Sequence, residues 1–597
     1  MLAGAPGARA ASAPVYAEAA HSGSYYGSTS TTSPGGGVFE DMALNTTAGQ
    51  LVCASAWVRT DYPATGASGA FDIWLRGGGA SDQGQAVYSG LGNLGNWSQV
   101  HACAEATSAH TGLRVQFYPA RGSPVVDMDD VDVHASLAAN GGFEHGSSPW
   151  GIYPGTHSNF SIYTGSAAAP AHSGTHFAAT NTSSAGGGIY EDMSLDTSPG
   201  QLICGSAWVR TEGSATGASG SFALWLTGGA HSDGASVRYA GLGNGTDWTQ
   251  EQTCVQATIA HTGLRVQFYP AIGSPTVEID DVDVHESLAA NGGFESGGGP
   301  WAIYPGTHSN FSVYPSSAAA PARSGGHFGA TNTAGAGGGI YQDVALRTSA
   351  GQLVCGSAWV RTEGAATGAA GSFVLWLRGG ARSQSGQATY AGLGNGTDWT
   401  QLQTCVEATG AHTGLRIQFY PAIGSPTVEL DDVDVHESLA ANGGFENGSG
   451  PWGTYPNTHS TYDAVLAHLV TGPEPPVVTT PVPTPIPRPK ARHTLKVRLS
   501  LSWTWRYAIT RLDTAKIIGG LPGRTRATLR CAGRGCPRRR TVSATGARHV
   551  KRLLRSLHGR RYRAGDVLRI TLTAPGYGAE RAELVFRYGR LPRVRLL

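Results

Sequence analysis

The segment NGGFE occupies residues 140–144, returns at residues 291–295 and returns again at residues 442–446. Both intervals are 151 residues long, and the sequence between them repeats almost without insertion. A period of this length exceeds the ~20–50 residues of solenoid repeats and fits one complete small domain per copy. The chain is therefore predicted to be an array of three modules, and its function is predicted to be that of one module repeated three times.

The length of 597 residues allows about four domains, which agrees with three modules and a tail. Proline-rich sequence after the array indicates an extended, semi-rigid linker. The predicted domains are module 1 at 1–139, module 2 at 140–290, module 3 at 291–441, an isolated module start at 442–470, the linker at 471–492 and a small basic, β-rich C-terminal domain at 493–597.

The two ends of the array do not match. Module 1 lacks the NGGFE segment before its body, whereas residues 442–460 contain that segment without a body. Either residues 442–460 complete module 1 and close a ring, or both ends are remnants of a longer series. Three sandwiches joined nearly end to end would have to bend sharply to form a ring, so we predict remnants, an N-terminally truncated module 1 and an unpaired sheet edge there.

Charge divides the chain into an acidic array and a basic tail. Residues 488–597 hold 28 of the 42 Lys and Arg and only four acidic residues, a net charge of +24, whereas residues 1–487 carry −23. The two parts must have different partners or partly neutralise each other. No stretch approaches the ~20 apolar residues of a membrane helix, so no transmembrane segment is expected.

The eight cysteines are arranged copy by copy. In each module two cysteines lie 50 residues apart, and a further two form a short pair in the tail. An even count without the CxxC spacing of a zinc site indicates disulfides and an oxidising compartment, hence a secreted or cell-surface protein, although no signal peptide is visible in the first twenty residues. The predicted disulfides are Cys53–Cys103, Cys204–Cys254, Cys355–Cys405 and Cys531–Cys536.

Short alternating runs bounded by Gly, Pro, Asn and Ser predict an all-β fold, with three tandem antiparallel β-sandwiches. Alternation also predicts one polar, aromatic face in each module, because the side chains of a strand point alternately to its two sides. A Cys204–Cys254 bridge sets the register so that Trp208 meets Gln250 and Arg210 meets Trp248. We expect that face to gather Trp208, Arg210, Trp225, Trp248, Gln250, Arg265, Gln267 and Tyr269 in module 2.

Planar aromatic rings beside Arg and Gln suit sugars, because rings stack on the C–H faces of pyranoses and forked donors bond vicinal hydroxyls. The alternative is that the tryptophans pack under loops, with Arg210 stacked on Trp248 as a structural cation–π pair. The predicted carbohydrate-binding residues are Trp57, Arg59, Trp74, Arg114, Gln116 and Tyr118 in module 1, Trp208, Arg210, Trp225, Arg265, Gln267 and Tyr269 in module 2, and Trp359, Arg361, Trp376, Arg416, Gln418 and Tyr420 in module 3.

Each module resembles carbohydrate-binding modules of the 4/9 type, which have a galactose-binding-like jelly roll. The resemblance rests on NGGFE, on the SAWVR strand, on a later Trp after a Gly/Asn/Thr turn, and on the closing DDVDV at residues 280–284. The resemblance covers about three quarters of the chain. It implies sandwiches whose concave sheet binds β-glucan, xylan or a similar polysaccharide. It also implies a structural calcium where the first and last strands meet, with carboxylate ligands from Glu144, Asp280 and Asp281 and from Glu295, Asp431 and Asp432. The alternative is that these acids cap strand ends.

The basic tail resembles, through CAGRGCP at residues 531–537, small β-rich C-terminal domains of secreted actinobacterial-type proteins. Its arginines could bind an anionic cell-envelope polymer, or form a solvated basic surface that balances the acidic array. Nucleic acid is disfavoured because no stacking aromatics are interleaved with the basic residues.

No nucleophile elbow, Walker loop or HExxH helix is present, and adjacent acids such as Asp280 and Asp281 are expected on opposite strand faces. The repeated histidines His134, His285 and His436 are interpreted as solvated and structural. We predict a secreted, non-catalytic, multivalent polysaccharide- or cell-wall-binding protein without an organic cofactor. The alternatives are a structural or adhesive surface array without a sugar site, and the binding portion of a larger glycoside hydrolase.

Overall fold

The structure is a computed structural model that describes residues 15–471 and, with short gaps, residues 498–596. Contacts divide the chain into two compact units, Met1–Pro476 and Val477–Leu597. The first unit contains three β-sandwiches, each with two five-stranded antiparallel sheets, so the predicted fold class is confirmed. The predicted linker lies almost wholly outside the described residues.

Module 2 shows the plan of every sandwich. One layer, which we call the disulfide sheet, contains both cysteines, and the other layer we call the outer sheet. In spatial order, the disulfide sheet consists of Ser158–Thr164, His176–Thr182, Val277–Ser287, Leu202–Thr211 and Thr249–Gln256. The outer sheet consists of Gly151–Ile152, Ile189–Thr197, His261–Pro270, Gly220–Thr227 and Asp233–Tyr239.

The other modules repeat this order. The strands of module 1 are Val15–Glu18, Tyr25–Thr31, Val38–Thr46, Gln50–Thr60, Gly69–Arg76, Asp82–Tyr88, Ser98–Glu105, His110–Pro119 and Val126–Ala139. The strands of module 3 are Ala302–Ile303, Ser309–Pro315, His327–Thr333, Ile340–Thr348, Gln352–Thr362, Gly371–Arg378, Gln384–Tyr390, Thr400–Glu407, His412–Pro421 and Val428–Ala441. The chain then continues with Gly453–Thr454, Ser460–Leu466 and His468–Thr471.

The core of each sandwich lies between its two sheets. In module 2, Phe222, Leu224 and Leu226 of one outer strand are fully buried, as alternation predicted. The six strands predicted in module 2 are all present. The sequence did not indicate Ser158–Thr164, because this edge strand has only half-buried and exposed positions and therefore carries little apolar signal.

All four predicted disulfides are confirmed. Cys204 and Cys254 lie directly opposite each other on neighbouring antiparallel strands, and Trp208 lies opposite Gln250, as the register predicted. The equivalent pairs, Trp57 with Gln99 and Trp359 with Gln401, have the same register.

The array closes into a ring, so the prediction of remnants is wrong. The C-terminal strand Ser460–Leu466 pairs with Tyr25–Thr31 of module 1, and Gly453–Thr454 pairs with Val38–Thr46. A further pair joins Val15–Glu18 to His468–Thr471. Residues 442–470 are therefore the missing part of module 1 rather than an isolated module start. The physical reason is that these strands satisfy the backbone groups of sheet edges that would otherwise be open.

The NGGFE segment begins each sandwich and attaches it to the closing DDVDV strand. In module 2, the Asn140 side chain donates to the carbonyls of Gly146 and Ser148, and Phe143 inserts into the core. Gly141 lies against the DDVDV strand so closely that a Cβ would be 2.2 Å from the Val282 carbonyl oxygen. No larger residue fits at this close approach.

The same contact links the two ends of the array. A Cβ on Gly443 would be 2.2 Å from the carbonyl oxygen of Val131, and the Val131 amide donates to Gly443 over 2.9 Å. Phe445 and Trp452 belong to the core of module 1. Module 1 therefore has a complete core whose last aromatic residues come from the far end of the array.

A ring of alternating histidines and aspartates lies on the pseudo-threefold axis where the three disulfide sheets meet. Nε2 of His134 lies 2.7 Å from Asp283, and this contact joins modules 1 and 2. The other two contacts, His285 with Asp434 and His436 with Asp132, are 2.8 Å each. We call these six residues the His–Asp ring.

The histidines of the His–Asp ring are structural, as interpreted, but each is paired with an aspartate of the next module rather than solvated, and their side chains are only 14–16% exposed. Burial alone would lower the pKa of His134, but the carboxylates of Asp283 and Asp132 raise it to about 10. The sequence did not indicate these ion pairs, because the aspartate that each histidine contacts belongs to the next module.

One buried position distinguishes the modules in a way that can be tested. Glu191 accepts the amide of Ala139 through Oε1, while its Oε2 is buried without a partner among the described residues. Module 3 has Gln342 there, which accepts the amide of Ala290 and also donates to its carbonyl over 2.6 Å. Burial raises the pKa of Glu191 to about 7.

We expect Glu191→Gln to stabilise module 2 by about 1–2 kcal/mol at pH 8 and to have almost no effect near pH 4. An acid whose pKa is raised on folding retains a proton that the unfolded chain releases, so stability falls as pH rises from its ordinary value through 7. Urea unfolding between pH 4 and 8 measures this. Gln342→Glu is the matched control and should introduce the same pH dependence into module 3; parallel pH profiles for all three proteins would contradict the assignment.

The described residues of the second unit form a small β-rich fold with one helix. Its helix, Ala547–Arg555, has Val550 and Leu554 buried and Lys551, Arg552 and Arg555 exposed. Among the described residues, no helix has the length and apolar character that crossing a membrane requires. The strands are Arg498–Arg506, Ile509–Ile518, Arg526–Ala532, Thr541–Thr545, Arg561–Arg563, Val567–Thr573, Glu580–Arg587 and Arg590–Leu596.

Candidate functional site

The predicted polar face is divided between two surfaces on opposite sides of each sandwich. Trp208, Arg210 and Gln250 belong to the disulfide sheet, whereas Trp225 and Arg265 belong to the outer sheet. The prediction of a single face is therefore wrong. Alternation along a strand separates core from surface, but it does not reveal which of the two layers a strand joins.

The surface of the disulfide sheet faces the pseudo-threefold axis. It surrounds an axial cavity of about 140 Å³ lined by all three modules, including Trp57, Trp208 and Gln401. The indole of Trp208 is covered by a stacked His172 at 3.9 Å, and that of Trp57 by His21 at 4.0 Å. In module 3, Arg323 lies 4.1 Å over Trp359. A polysaccharide chain therefore cannot stack on these three tryptophans without displacing their covering side chains.

The three arginines predicted to bind sugar from this sheet are structural. Arg210 is fully buried, pairs with Glu278, and donates to the Pro170 carbonyl over 2.8 Å. Its guanidinium lies 4.0 Å from the ring centre of Trp248, which is the alternative cation–π arrangement. Arg59 and Arg361 repeat this arrangement, with Asp127 and Glu429 as their acids, so all three sugar-binding assignments are wrong.

The outer sheet carries the exposed aromatic surface. Three strands place Trp225, Arg265 and Asp192 side by side in one row, and Tyr190 and Tyr153 pack beside the arginine. We call each such surface an outer platform. Its members are Trp74, Arg114, Asp41, Phe39, Tyr118 and Tyr455 in module 1, Trp225, Arg265, Asp192, Tyr190, Tyr269 and Tyr153 in module 2, and Trp376, Arg416, Asp343, Tyr341, Tyr420 and Tyr304 in module 3.

Trp225 is the most open aromatic ring of the outer platform. It is 37% exposed, and it lies directly across from Gly234 on the neighbouring strand. A Cβ at Gly234 would lie 2.4 Å from the indole, so the ring rests against the bare backbone of that strand. One indole face is thus covered by protein while the opposite face is available to solvent. Gln83 and Ser385 occupy the equivalent of Gly234 in modules 1 and 3, where the tryptophans are half-buried.

The cation of each outer platform is held rigidly. Arg265 donates to both carboxylate oxygens of Asp192, at 2.7 Å each, and its guanidinium lies 4.5 Å from the centre of Tyr190. In module 1, the hydrogen bonds from Arg114 hold the pKa of Asp41 below its ordinary value. A bidentate pair of this kind fixes the direction of the remaining donors and acceptors.

The glutamines predicted to bind sugar lie beneath the surface. Gln116, Gln267 and Gln418 are at most 1% exposed, so they cannot contact a ligand directly. Gln267 instead accepts a hydrogen bond from the Tyr269 hydroxyl over 2.7 Å. The predicted ligand contacts of these three glutamines are wrong. Gln116 and Gln267 accept hydrogen bonds from Tyr455 and Tyr269, whereas the amide atoms of Gln418 have no partner among the described residues.

The sequence analysis missed the partners of the arginine. Tyr190 and Asp192 alternate with buried positions in IYEDM, and this alternation could have placed both on the same surface. Tyr153 precedes a turn, and only the folded chain brings it near Arg265. In module 1 the equivalent Tyr455 comes from the segment that closes the ring, and it lies 3.1 Å from the Tyr118 hydroxyl.

The acids expected to bind calcium lie together at the junction of the first and last strands. A bulge near Asp281, where φ is 45°, directs both adjacent aspartates toward His172, so the expectation of opposite faces is wrong. Asp280 accepts the His172 amide, and Asp281 accepts the hydroxyl of Ser173. Glu144 accepts the amides of Thr175 and His176.

These carboxylates are already supplied with hydrogen-bond donors, as strand-end caps are. An amide hydrogen directed at a carboxylate oxygen occupies the position that a cation would need. The donor pattern therefore does not fit calcium at this junction. Glu295, Asp431 and Asp432 repeat the arrangement in module 3, where Oδ2 of Asp432 is buried without a partner among the described residues.

Comparison with known proteins gives structural neighbours only. No family model matches the chain, and no curated protein matches it. Among solved structures, the chain is similar to the CBM22-1–CBM22-2 tandem domain of Paenibacillus barcinonensis Xyn10C, at 16% identity over 50% of this chain and 95% of that one, with a TM-score of 0.21. It is also similar to TmCBM61 in complex with β-1,4-galactotriose, at 16% identity over 25% of this chain and 97% of that one, with a TM-score of 0.20. These neighbours are carbohydrate-binding modules; the likeness concerns the fold alone, and the 4/9 type remains a prediction.

Proposed function

We propose that this chain is a secreted, non-catalytic, multivalent carbohydrate-binding protein whose three outer platforms contact polysaccharide. The observation that supports this most strongly is the open indole face of Trp225 beside a rigid Arg265–Asp192 pair. Aromatic faces attract the C–H faces of sugar rings, while fixed donors and acceptors bond their hydroxyl groups. Among the described residues, the arginine and aspartate of the platform supply those polar groups.

The ring arrangement makes the binding multivalent. The disulfide sheets face the axis, so the outer platforms lie on the other side of each sandwich and point away from it. Three modest sites on one body can engage different segments of a polymer, and the second contact then forms at a high effective concentration. The protein could retain an insoluble polysaccharide or cell-wall glycan without tight binding by any single module.

The triple variant Trp74→Ala/Trp225→Ala/Trp376→Ala is expected to remain folded and to lose polysaccharide retention, because each tryptophan lies outside the core. Losing a stacked ring at each site should weaken binding by at least tenfold, by analogy with the ~1–3 kcal/mol of a stacking contact. Retention on insoluble glucan, xylan and galactan measures this, with a thermal melt as the folding check. Of the three single variants, Trp225→Ala should have the largest effect.

Tyr163→Ala is the matched control, because Tyr163 is a 43% exposed aromatic on the opposite, disulfide sheet of module 2. It should leave retention unchanged. Retention that survives the triple tryptophan variant would show that the outer platforms are not the sugar sites. No retention by the original chain would instead support the alternative of a structural or adhesive array without a sugar site.

The basic unit is proposed to anchor the array to an anionic cell-envelope polymer. Arg526 and Arg530 are exposed on one strand, and Lys551 and Arg552 are exposed on the helix. The sequence also contains a run of three arginines, Arg538, Arg539 and Arg540, which lies outside the described residues. Binding of this kind weakens steeply with salt, which distinguishes it from binding by the outer platforms.

A further inference from the structure

The His–Asp ring brings three groups of potential metal ligands together on the pseudo-threefold axis of the array. Each group contains one aspartate and two histidines, and its ligand atoms lie within 4.8 Å of one another. The imidazole centres are separated by only 4.9–5.2 Å. The three groups are His134, Asp283 and His285, then His285, Asp434 and His436, then His436, Asp132 and His134.

The ring contains many polar atoms whose bonding is incomplete. Each histidine uses Nε2 for the aspartate of the next module, while its Nδ1 is buried without a hydrogen-bond partner among the described residues. Oδ1 of each aspartate is likewise buried and without a partner there. Asp283 and Asp434 are only 3% and 2% exposed, and both line the axial cavity.

These atoms have the character of cation ligands. A carboxylate accepts only, and a neutral imidazole that donates through Nε2 offers a lone pair at Nδ1. Each Nδ1 lies 3.6 Å from Oδ2 of the aspartate in its own module. When an imidazolium releases its proton, its Nδ1 lone pair joins the three unpartnered Oδ1 atoms as a group that can accept a cation. Leaving polar groups buried in this way is costly, and a bound cation would satisfy several of them at once.

We propose that the His–Asp ring binds one divalent transition-metal ion of the Zn²⁺, Cu²⁺ or Ni²⁺ class. Imidazole nitrogen with one carboxylate suits these ions, whereas Ca²⁺ and Mg²⁺ prefer oxygen alone. Each histidine belongs to two of the three groups, so one ion that takes two histidines leaves no complete group for a second. The ion displaces imidazolium protons to solvent as it binds.

The hydrogen bonds of the ring also fit this role. Ligating histidines commonly donate their second nitrogen to a carboxylate, which fixes the orientation of the ring. Here the carboxylate is always supplied by the neighbouring module. A bound ion would therefore add a further link between modules that these histidine–aspartate contacts already join.

The test uses the full chain after treatment with a chelator, titrated with Zn²⁺ in a calorimeter. We expect about one ion per chain and a higher melting temperature with the ion bound. The axial variant is His134→Gln/His285→Gln/His436→Gln, because glutamine keeps a donor for the aspartate and removes the imidazole ligand. We expect the axial variant to bind Zn²⁺ at least tenfold more weakly.

The matched control is His157→Gln/His308→Gln/His459→Gln, which removes one exposed histidine from the equivalent position of each module. It should bind Zn²⁺ like the original chain. Unchanged binding by the axial variant, or no Zn²⁺ binding by the original chain, would overturn the proposal.

A second measurement decides the matter if the axial variant does not fold. Cu²⁺ bound to the original chain should show nitrogen hyperfine coupling in its paramagnetic resonance spectrum, and excess Ca²⁺ should not displace it. Coordination by oxygen alone, or displacement by Ca²⁺, would place the ion on the acids of the module junctions and overturn the axial site. Neither result depends on whether the outer platforms bind sugar.

Discussion

Phe445→Ala is expected to destabilise the first sandwich by about 3–5 kcal/mol, although Phe445 follows the body of the third. Its ring is fully buried in the core of module 1, together with Trp452. The neighbouring Glu446 accepts the amide of Tyr25, from which it is 421 residues distant in sequence. Removing the ring leaves a cavity at the seam of the molecule, where the first and last strands pair.

Hydrogen exchange on the full chain measures this effect. Amides of Tyr25–Thr31 and Val126–Ala139 should exchange much faster in Phe445→Ala, while those of Val277–Ser287 should not change. Phe294→Ala provides the matched control, because the equivalent ring belongs to the core of module 3 and should accelerate exchange there instead. Faster exchange only in module 3 for both variants would contradict ring closure and restore the remnant hypothesis.

The second large effect is expected from Arg210→Met, which should destabilise module 2 by about 3–5 kcal/mol at neutral pH. Methionine fills much of the same space, but Glu278 is then a buried carboxylate without its cation. The carbonyls of Pro170 and Gly245 also lose their shared donor. The loss is large because an uncompensated buried charge costs more than the ion pair itself contributes.

The pH dependence of this loss of stability shows whether the unpaired charge of Glu278 causes it. Burial already raises the pKa of Glu278, and removing Arg210 raises it further, so the loss should shrink as pH falls toward the ordinary glutamate value of about 4.3. Glu278→Gln added to Arg210→Met should recover part of the stability at neutral pH. Calorimetric unfolding of the single and double variants tests this; a double variant no more stable than the single one at pH 7 would show that lost packing, not the buried charge, is responsible.

Polysaccharide retention by the Arg210→Met variant tests separately whether Arg210 contacts sugar. If Arg210 contacted sugar, as the sequence suggested, a conservative change there would weaken binding while module 2 stayed folded. The structure instead predicts that Arg210 variants affect binding only through unfolding, whereas Trp225 variants affect binding alone.

The local parts of the structure followed from the sequence by itself. Six of the ten strands in module 2, the pairing of Cys204 with Cys254 and the register of Trp208 with Gln250 were predicted correctly. Each depends on features that short segments carry, namely alternation of apolar residues and a constant spacing of 50 residues between cysteines. The repeat also predicted three copies of one sandwich, and the structure contains three.

Only the tertiary structure decided which surfaces are open. Alternation separates the two faces of a strand, and it gives Trp208 and Trp225 the same signal. Trp208 faces the axis beneath His172, and Trp225 faces solvent, because the disulfide sheets meet when the array closes. That closure depends on the direction in which one sandwich follows the next, and on contacts such as His134 with Asp283 between modules. These contacts join residues far apart in the chain, so no local pattern records them, and burial at the axis is a property of the assembled ring alone.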